Sequence, residues 1–136
     1  MENKTLRALE YSKILERISK YASSSLGKTA ILKLTPNLAL NEIIISLNEI
    51  EQAFIASEKS SKGISFSFDD ITDILNKAKV FSTLNNIELL KVSKFIKIAF
   101  NVKNDIFNVK SDNISLLKDY VKELILPIEL GKYIED

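Results

Sequence analysis

The sequence predicts an all-α fold, an irregular bundle of about six to seven helices, and three observations predict it. Apolar side chains recur at steps of three, four and five along most of the chain, close to the helical period. Three glycines and two prolines in 136 residues leave little material for tight turns. The one alternating stretch, Ser65-Phe66-Ser67-Phe68, is too short and too solitary to make a sheet. With 46% apolar residues the chain can bury a core, and it reads as one helical unit over 1–136, short enough to belong to something larger.

A first short helix is expected to start near Thr5, whose hydroxyl would cap it, and to give way around Tyr11. Ser12 would cap a second, with Leu15, Ile18 and Tyr21 or Ala22 along its buried side. Ser23-Ser24-Ser25 interrupts the pattern, and Gly27, a poor interior residue, places a joint there. A third helix then runs to about Leu34 and stops at Thr35-Pro36, because proline restricts the residue before it.

The clearest element begins at Leu40 or Asn41 and runs to about Lys59. In it Ile43, Leu47, Ile50 and Phe54 stand four, three and four apart, a heptad-like stripe, with Glu42, Asn48, Glu49, Glu51 and Gln52 largely on the other side. Such a helix is a rod of roughly 27–30 Å. Ser57 to Gly63 reads as a polar link, and Ser65 to Phe68 as an extended connector with Phe66 or Phe68 docked on the helices.

Asp69 and Asp70 open a helix through Val80, where carboxylates suit the exposed N–H groups and the positive end of the dipole. After Ser82-Thr83 a long helix occupies about Ile87 to Val109. Leu89, Val92, Phe95, Ile96, Ala99, Val102 and Ile106 share its buried arc; Lys91, Lys94, Lys97, Asn101, Asn104 and Asn108 share the opposite one. Lys103 projects towards the apolar arc and should either snorkel or mark a bend. Ser111-Asp112-Asn113 would cap a last helix from Ile114 to Leu126, closed by Pro127, leaving Gly131 to Asp136 as the start of an interrupted element.

Nineteen basic and eighteen acidic side chains leave a net charge of +1, so any electrostatic appeal to nucleic acid or membrane must be local. Histidine and cysteine are both absent, which removes disulfides, thiolate nucleophiles, Cys/His metal sites and the usual general base. No catalytic, cofactor-binding or metal-ligating set can be built from what is left. The first thirty residues alternate charged and apolar positions, so they read as neither signal peptide nor membrane anchor, and the expected location is the cytoplasm.

Each candidate site has an ordinary reading beside the functional one. Gly27-Lys28-Thr29 has the residue types that end a phosphate-binding loop, but Ala22 stands where its first glycine belongs, so Gly27 is read as a helix joint. Asp69, Asp70 and Asp73 suggest a metal cluster, yet capping accounts for the first two. Glu42, Glu49, Glu51 and Glu58 read as a solvated face, and Tyr11, Tyr21, Phe95, Phe100, Phe107 and Tyr120 as core or helix contacts. From Lys91 to Lys110 five lysines meet one acid, Asp105, a local charge of +4. Lys91, Lys94 and Lys97 are the candidate nucleic-acid contacts, by phosphate rather than base, against a merely solvated helix face.

The opening of the chain also carries a family likeness. Lys4-Thr5-Leu6, Leu9-Glu10-Tyr11, Lys13-Ile14-Leu15-Glu16-Arg17, Tyr21-Ala22 and Ser25-Leu26-Gly27-Lys28 resemble, in order and spacing, the start of the second bacterial branch of the MutS family. Leu40-Asn41-Glu42-Ile43, Asp70 to Leu75, Ala78 to Ser82 and Leu84 to Ala99 continue it more loosely. Where that family has glycines and a proline, this chain has Ser65 to Phe68 and Ala78-Lys79-Val80, so those turns should be built differently. The resemblance implies the front of a helical core and lever region in a longer protein. Such proteins look like dimeric ATPases, using ATP and Mg, that clamp branched DNA or collided ribosomes and often end in a nuclease domain. Their nucleotide loop, clamp tip and nuclease would lie beyond Asp136, so this stretch is expected to be no enzyme itself. Its partners would be the rest of the parent chain, branched DNA or the ribosome and a homodimer mate, and no membrane.

Overall fold

The computed structural model describes residues 3–36, 39–60 and 62–135, and among them it contains only helices. In chain order they are α1 (Asn3–Ala8), α2 (Tyr11–Ser19), α3 (Ser25–Leu32), α4 (Leu40–Lys59), α5 (Thr72–Lys79), α6 (Asn86–Asn108), α7 (Ser115–Lys122) and α8 (Ile128–Glu135). The eighth goes beyond the six or seven expected. Pro127, read as a stop, instead stands just before α8, where its missing N–H costs nothing, and its carbonyl accepts from Gly131 N at 3.2 Å. α7 correspondingly ends at Lys122 rather than Leu126.

The first three helices pack on one another. Neither Thr5 nor Ser12 caps a helix: Thr5 lies within α1, and Ser12 within α2. The break between them is made by Glu10, which takes a left-handed conformation (φ 50°). Leu15 is buried, whereas Ile18 and Tyr21 are exposed, because α2 is covered only along the side that α1 and α3 reach. Ser24 caps α3 by accepting from Gly27 N at 3.1 Å, so Gly27 belongs to the first turn and the joint falls just before it. A Cβ on Gly27 would stand 3.0 Å from that cap hydroxyl. Ser24→Ala should therefore cost about 1 kcal/mol in urea unfolding and fray the start of α3 in hydrogen exchange.

The other helices build the main core. Ala56 from α4, Val102 and Ile106 from α6, Val109 and Ile114 beside them, and Val121 from α7 form one buried cluster, flanked by Ile55, Ile64, Ile98 and Leu117. α6 is the axis, with α7 and α8 packed against it and α4 packed on α7. Phe68 docks from the connector as expected, edge to face on Phe95 with centroids 5.1 Å apart, while Phe66 stays exposed.

Asn85 and Glu88 start α6 with a reciprocal capping box, the Asn85 side chain accepting from Glu88 N at 2.9 Å and Glu88 from Asn85 N at 3.0 Å. α5 starts at Thr72 rather than at Asp69 or Asp70, its N-cap residue is Ile71 with no side-chain cap, and Asp70 instead accepts from Thr72 N at 2.8 Å in a local turn ahead of the helix. Hydrogen bonds from Thr72 hold the Asp70 carboxyl below its ordinary pKa.

The turn after α5 contains a left-handed residue that is not glycine. Phe81 adopts φ 55° and is almost wholly exposed, so a bulky residue takes a conformation that suits glycine and gains no packing for it. Phe81→Gly is expected to stabilise the fold by about 1 kcal/mol, read as a rise in the urea midpoint with unchanged slope; a fall would show that the ring packs in solution.

Candidate functional site

α6 presents the candidate nucleic-acid face. Lys91, Lys94 and Lys97 are all exposed, with Asn101 and Asn108 exposed and Asn104 half-buried further along. Two carboxylates interrupt the face. Glu88 is paired with Lys77 of α5 and takes a further favourable influence from Lys91; Lys77 and the Asn85 N–H together hold its carboxyl below the ordinary glutamate pKa. Glu135 of α8 lies 3.8 Å from Lys97, close enough to draw that lysine to the α6–α8 seam. Lys91 and Lys94 make no ion pair among the described residues. Lys103 snorkels as its position implied: half-buried, it donates to the Leu124 carbonyl at 2.8 Å, just past the end of α7.

Glu88 makes the start of α6 pH-sensitive. Its folded pKa is depressed, so its contribution is present above the unfolded value and disappears as pH falls through the lower folded one. Amides of the first turn of α6 should lose protection only below about pH 4. Lys77→Ala should bring the Glu88 titration, followed by carboxyl NMR shifts, back towards that of a free glutamate.

Two helix contacts carry chemistry that periodicity did not reveal. Gln52, placed on the polar side of α4, is buried. Its Oε1 accepts from Leu116 N at 2.9 Å and Leu117 N at 3.3 Å, and its amide nitrogen donates to Asn48 at 3.2 Å. A side chain of α4 thus caps α7, whose own N-cap residue is Ile114 with no polar group to offer. The expected cap from Ser111-Asp112-Asn113 is not used: Ser111 accepts from Asn113 N, one step before the helix. Tyr120 adds a second tie, donating its hydroxyl to Glu49 at 2.5 Å, which raises the tyrosine pKa.

At the seam of α6 and α8, the Ser93 hydroxyl lies 3.2 Å from the Gly131 carbonyl and 2.8 Å from Glu135 Oε1. Gly131 is buried there, and a Cβ on it would come within 3.3 Å of Ile96. The only sequence hint of either contact was a small or polar residue out of step with its helix.

ATP does not fit the residues at Gly27-Lys28-Thr29. The Gly27 amide that a phosphate would need is occupied by Ser24, and a bend rather than a buried strand precedes the helix. A groove of about 430 Å³ between α5, α6 and α8 is lined by Ile74, Leu75, Leu89, Val92, Leu130 and Tyr133 among others, which suits packing rather than catalysis. No helix among the described residues is long and apolar enough to cross a membrane.

These features define an all-helical segment held together by cross-helix caps and seams, and the proteins it is similar to are of the MutS type. No family model matches the chain. The endonuclease MutS2 of Acetivibrio thermocellus is 34% identical over 140 residues, covering 100% of this chain and 17% of its own length. That of Lachnoclostridium phytofermentans is 36% identical over 114 residues, with 82% of this chain and 14% of its own length covered. That of Bacillus velezensis is 29% identical over 142 residues, covering 100% and 18%. By sequence the chain belongs with MutS2, and it spans about a sixth of the length of these relatives.

Proposed function

We propose that residues 1–136 act as a single helical unit at the N-terminal side of a MutS2-like protein, in the cytoplasm, where they brace the core and levers. There the rods carry the state of a distant ATPase, which uses ATP and Mg, towards a clamp on branched DNA or the ribosome. The match along the whole chain to a sixth of each relative carries this reading. The architecture supports it: α6 spans 23 residues, roughly 34 Å, and is braced along its length by α7 and α8. Rigid elements of that length join two mobile sites when both bias the same arrangement.

The test is made in the full parent protein. Asn101→Pro breaks α6 on its exposed side while leaving the start of the helix and its capping box in place. Nucleotide binding should persist, and the nucleotide-dependent change in affinity for a branched duplex should be lost. Full retention of that change, with the helix break confirmed by hydrogen exchange, would sink the reading.

A second reading is favoured by Lys91 and Lys94, exposed and without an ion pair among the described residues: a direct, salt-sensitive contact with a phosphate backbone. Replacing Lys91, Lys94 and Lys97 by Ala should weaken binding to every duplex alike and flatten its salt dependence by roughly two to three phosphate contacts. Unchanged binding would remove the face from the interface.

A further inference from the structure

We propose that the outward stripe of α4 is the seat of another helix of the same polypeptide, an amphipathic one with basic residues along one edge. The proposal rests on the longer MutS2-like parent. Leu40, Ile43, Leu47, Ile50 and Phe54 follow one another at three, four, three and four, and every one of them is exposed, Leu47, Ile50 and Phe54 by 60% or more. At about 100° per residue this stripe lies opposite Gln52 and Ala56, the side that α4 gives to α7 and the core. The helix therefore turns its less apolar side inward and its most apolar side out. Single exposed leucines are ordinary, but a continuous stripe along a 20-residue helix is not.

The size of the uncovered surface points the same way. The chain exposes 10524 Å², about 3,300 Å² more than expected for a compact monomer of its 15.4 kDa. An excess of that order, spread over the whole chain, is what a segment that packs against further polypeptide would show. The relatives run about six times the length of this chain, so ample polypeptide exists to cover it.

Charge decides between occupants. α4 carries four glutamates and one lysine. Glu51 and Glu58 run along one edge of the stripe, while Ser46, Ala53 and Ser57 line the other. A second copy would bring the same acidic helix against this one, whereas a helix with lysine or arginine at its flank would pair with Glu51 and Glu58. The small residues on the far edge let the incoming backbone approach closely.

The experiment uses the product of the complete reading frame, with a photoreactive benzophenone amino acid in place of Phe54 and, as control, in place of Lys62. The intact mass is read first. A mass of 15.4 kDa alone removes the longer parent, and this proposal with it. With a longer product, the expected result is an intramolecular crosslink from position 54, mapped by mass spectrometry to a Lys- or Arg-bearing helix after residue 136. A crosslink between two copies, or none above the Lys62 control, overturns the proposal while leaving the parent intact. Glu51→Lys with Glu58→Lys should lower the crosslink yield at low salt to roughly half or less; an unchanged yield overturns the basic edge.

Discussion

Replacing Gln52 by leucine is expected to destabilise the fold by about 2 kcal/mol, although leucine fits the same buried space. The loss comes from α7, not from α4. Leu116 N and Leu117 N would keep their place in a part-buried helix start and have no acceptor, since Ile114 at the N-cap position has none to offer. An unsatisfied amide of this kind costs on the order of 1–3 kcal/mol, more than the hydrogen bond itself contributes. Urea unfolding should show a lower midpoint with unchanged slope, and hydrogen exchange should show Leu116 and Leu117 losing protection first. Asn48→Ala, which removes only the partner of the Gln52 amide nitrogen, should cost far less. Equal losses for the two variants would show that Gln52 acts by packing alone.

The second large effect is expected at Gly131. Alanine there gains up to about 1 kcal/mol of helix propensity, but its methyl would stand 3.3 Å from Ile96 Cγ2. The two nearly cancel if Ile96 moves by a few tenths of an ångström, so Gly131→Ala should change little. Gly131→Leu has no such outlet: three further carbons would be driven into Ile96 on α6, and the α6–α8 seam should open at a cost of about 2–3 kcal/mol. The damage should be local. Hydrogen exchange should show α8 unprotected with α7 and the cluster around Ile114 intact; uniform loss of protection would contradict a seam held by close backbone approach.

Most helices were legible because their apolar periods are long and their breakers are few. α4 was placed to within a residue, and the inward arc of α6 was placed with Ile96, Val102 and Ile106 buried and Leu89, Val92, Phe95 and Ala99 half-buried. What misled was the step from period to partner. The stripe of Ile43, Leu47, Ile50 and Phe54 is a real periodic signal, but a period does not say which neighbour answers it, and among the described residues nothing does. Gln52 shows the converse: a polar side chain becomes buried when a distant helix start needs an acceptor, and neither helix carries that need in its own pattern. Glu10 and Phe81 were missed for a third reason, since residues with side chains seldom take a positive φ and nothing local announces it. The lysine face was legible as a charge run, yet the carboxylates that interrupt it come from Glu88 and, through the fold, Glu135.

The clasp between Gln52 and Leu116 joins residues 64 apart in sequence, which bears on how the chain is made. During translation at about 5–20 residues per second, Gln52 is synthesised roughly 3–13 s before its docking site on α7. Until that site exists, both the outward stripe of α4 and the side it gives to α7 lack their cover, so the order of synthesis leaves this helix as the most apolar unpaired surface of the growing chain.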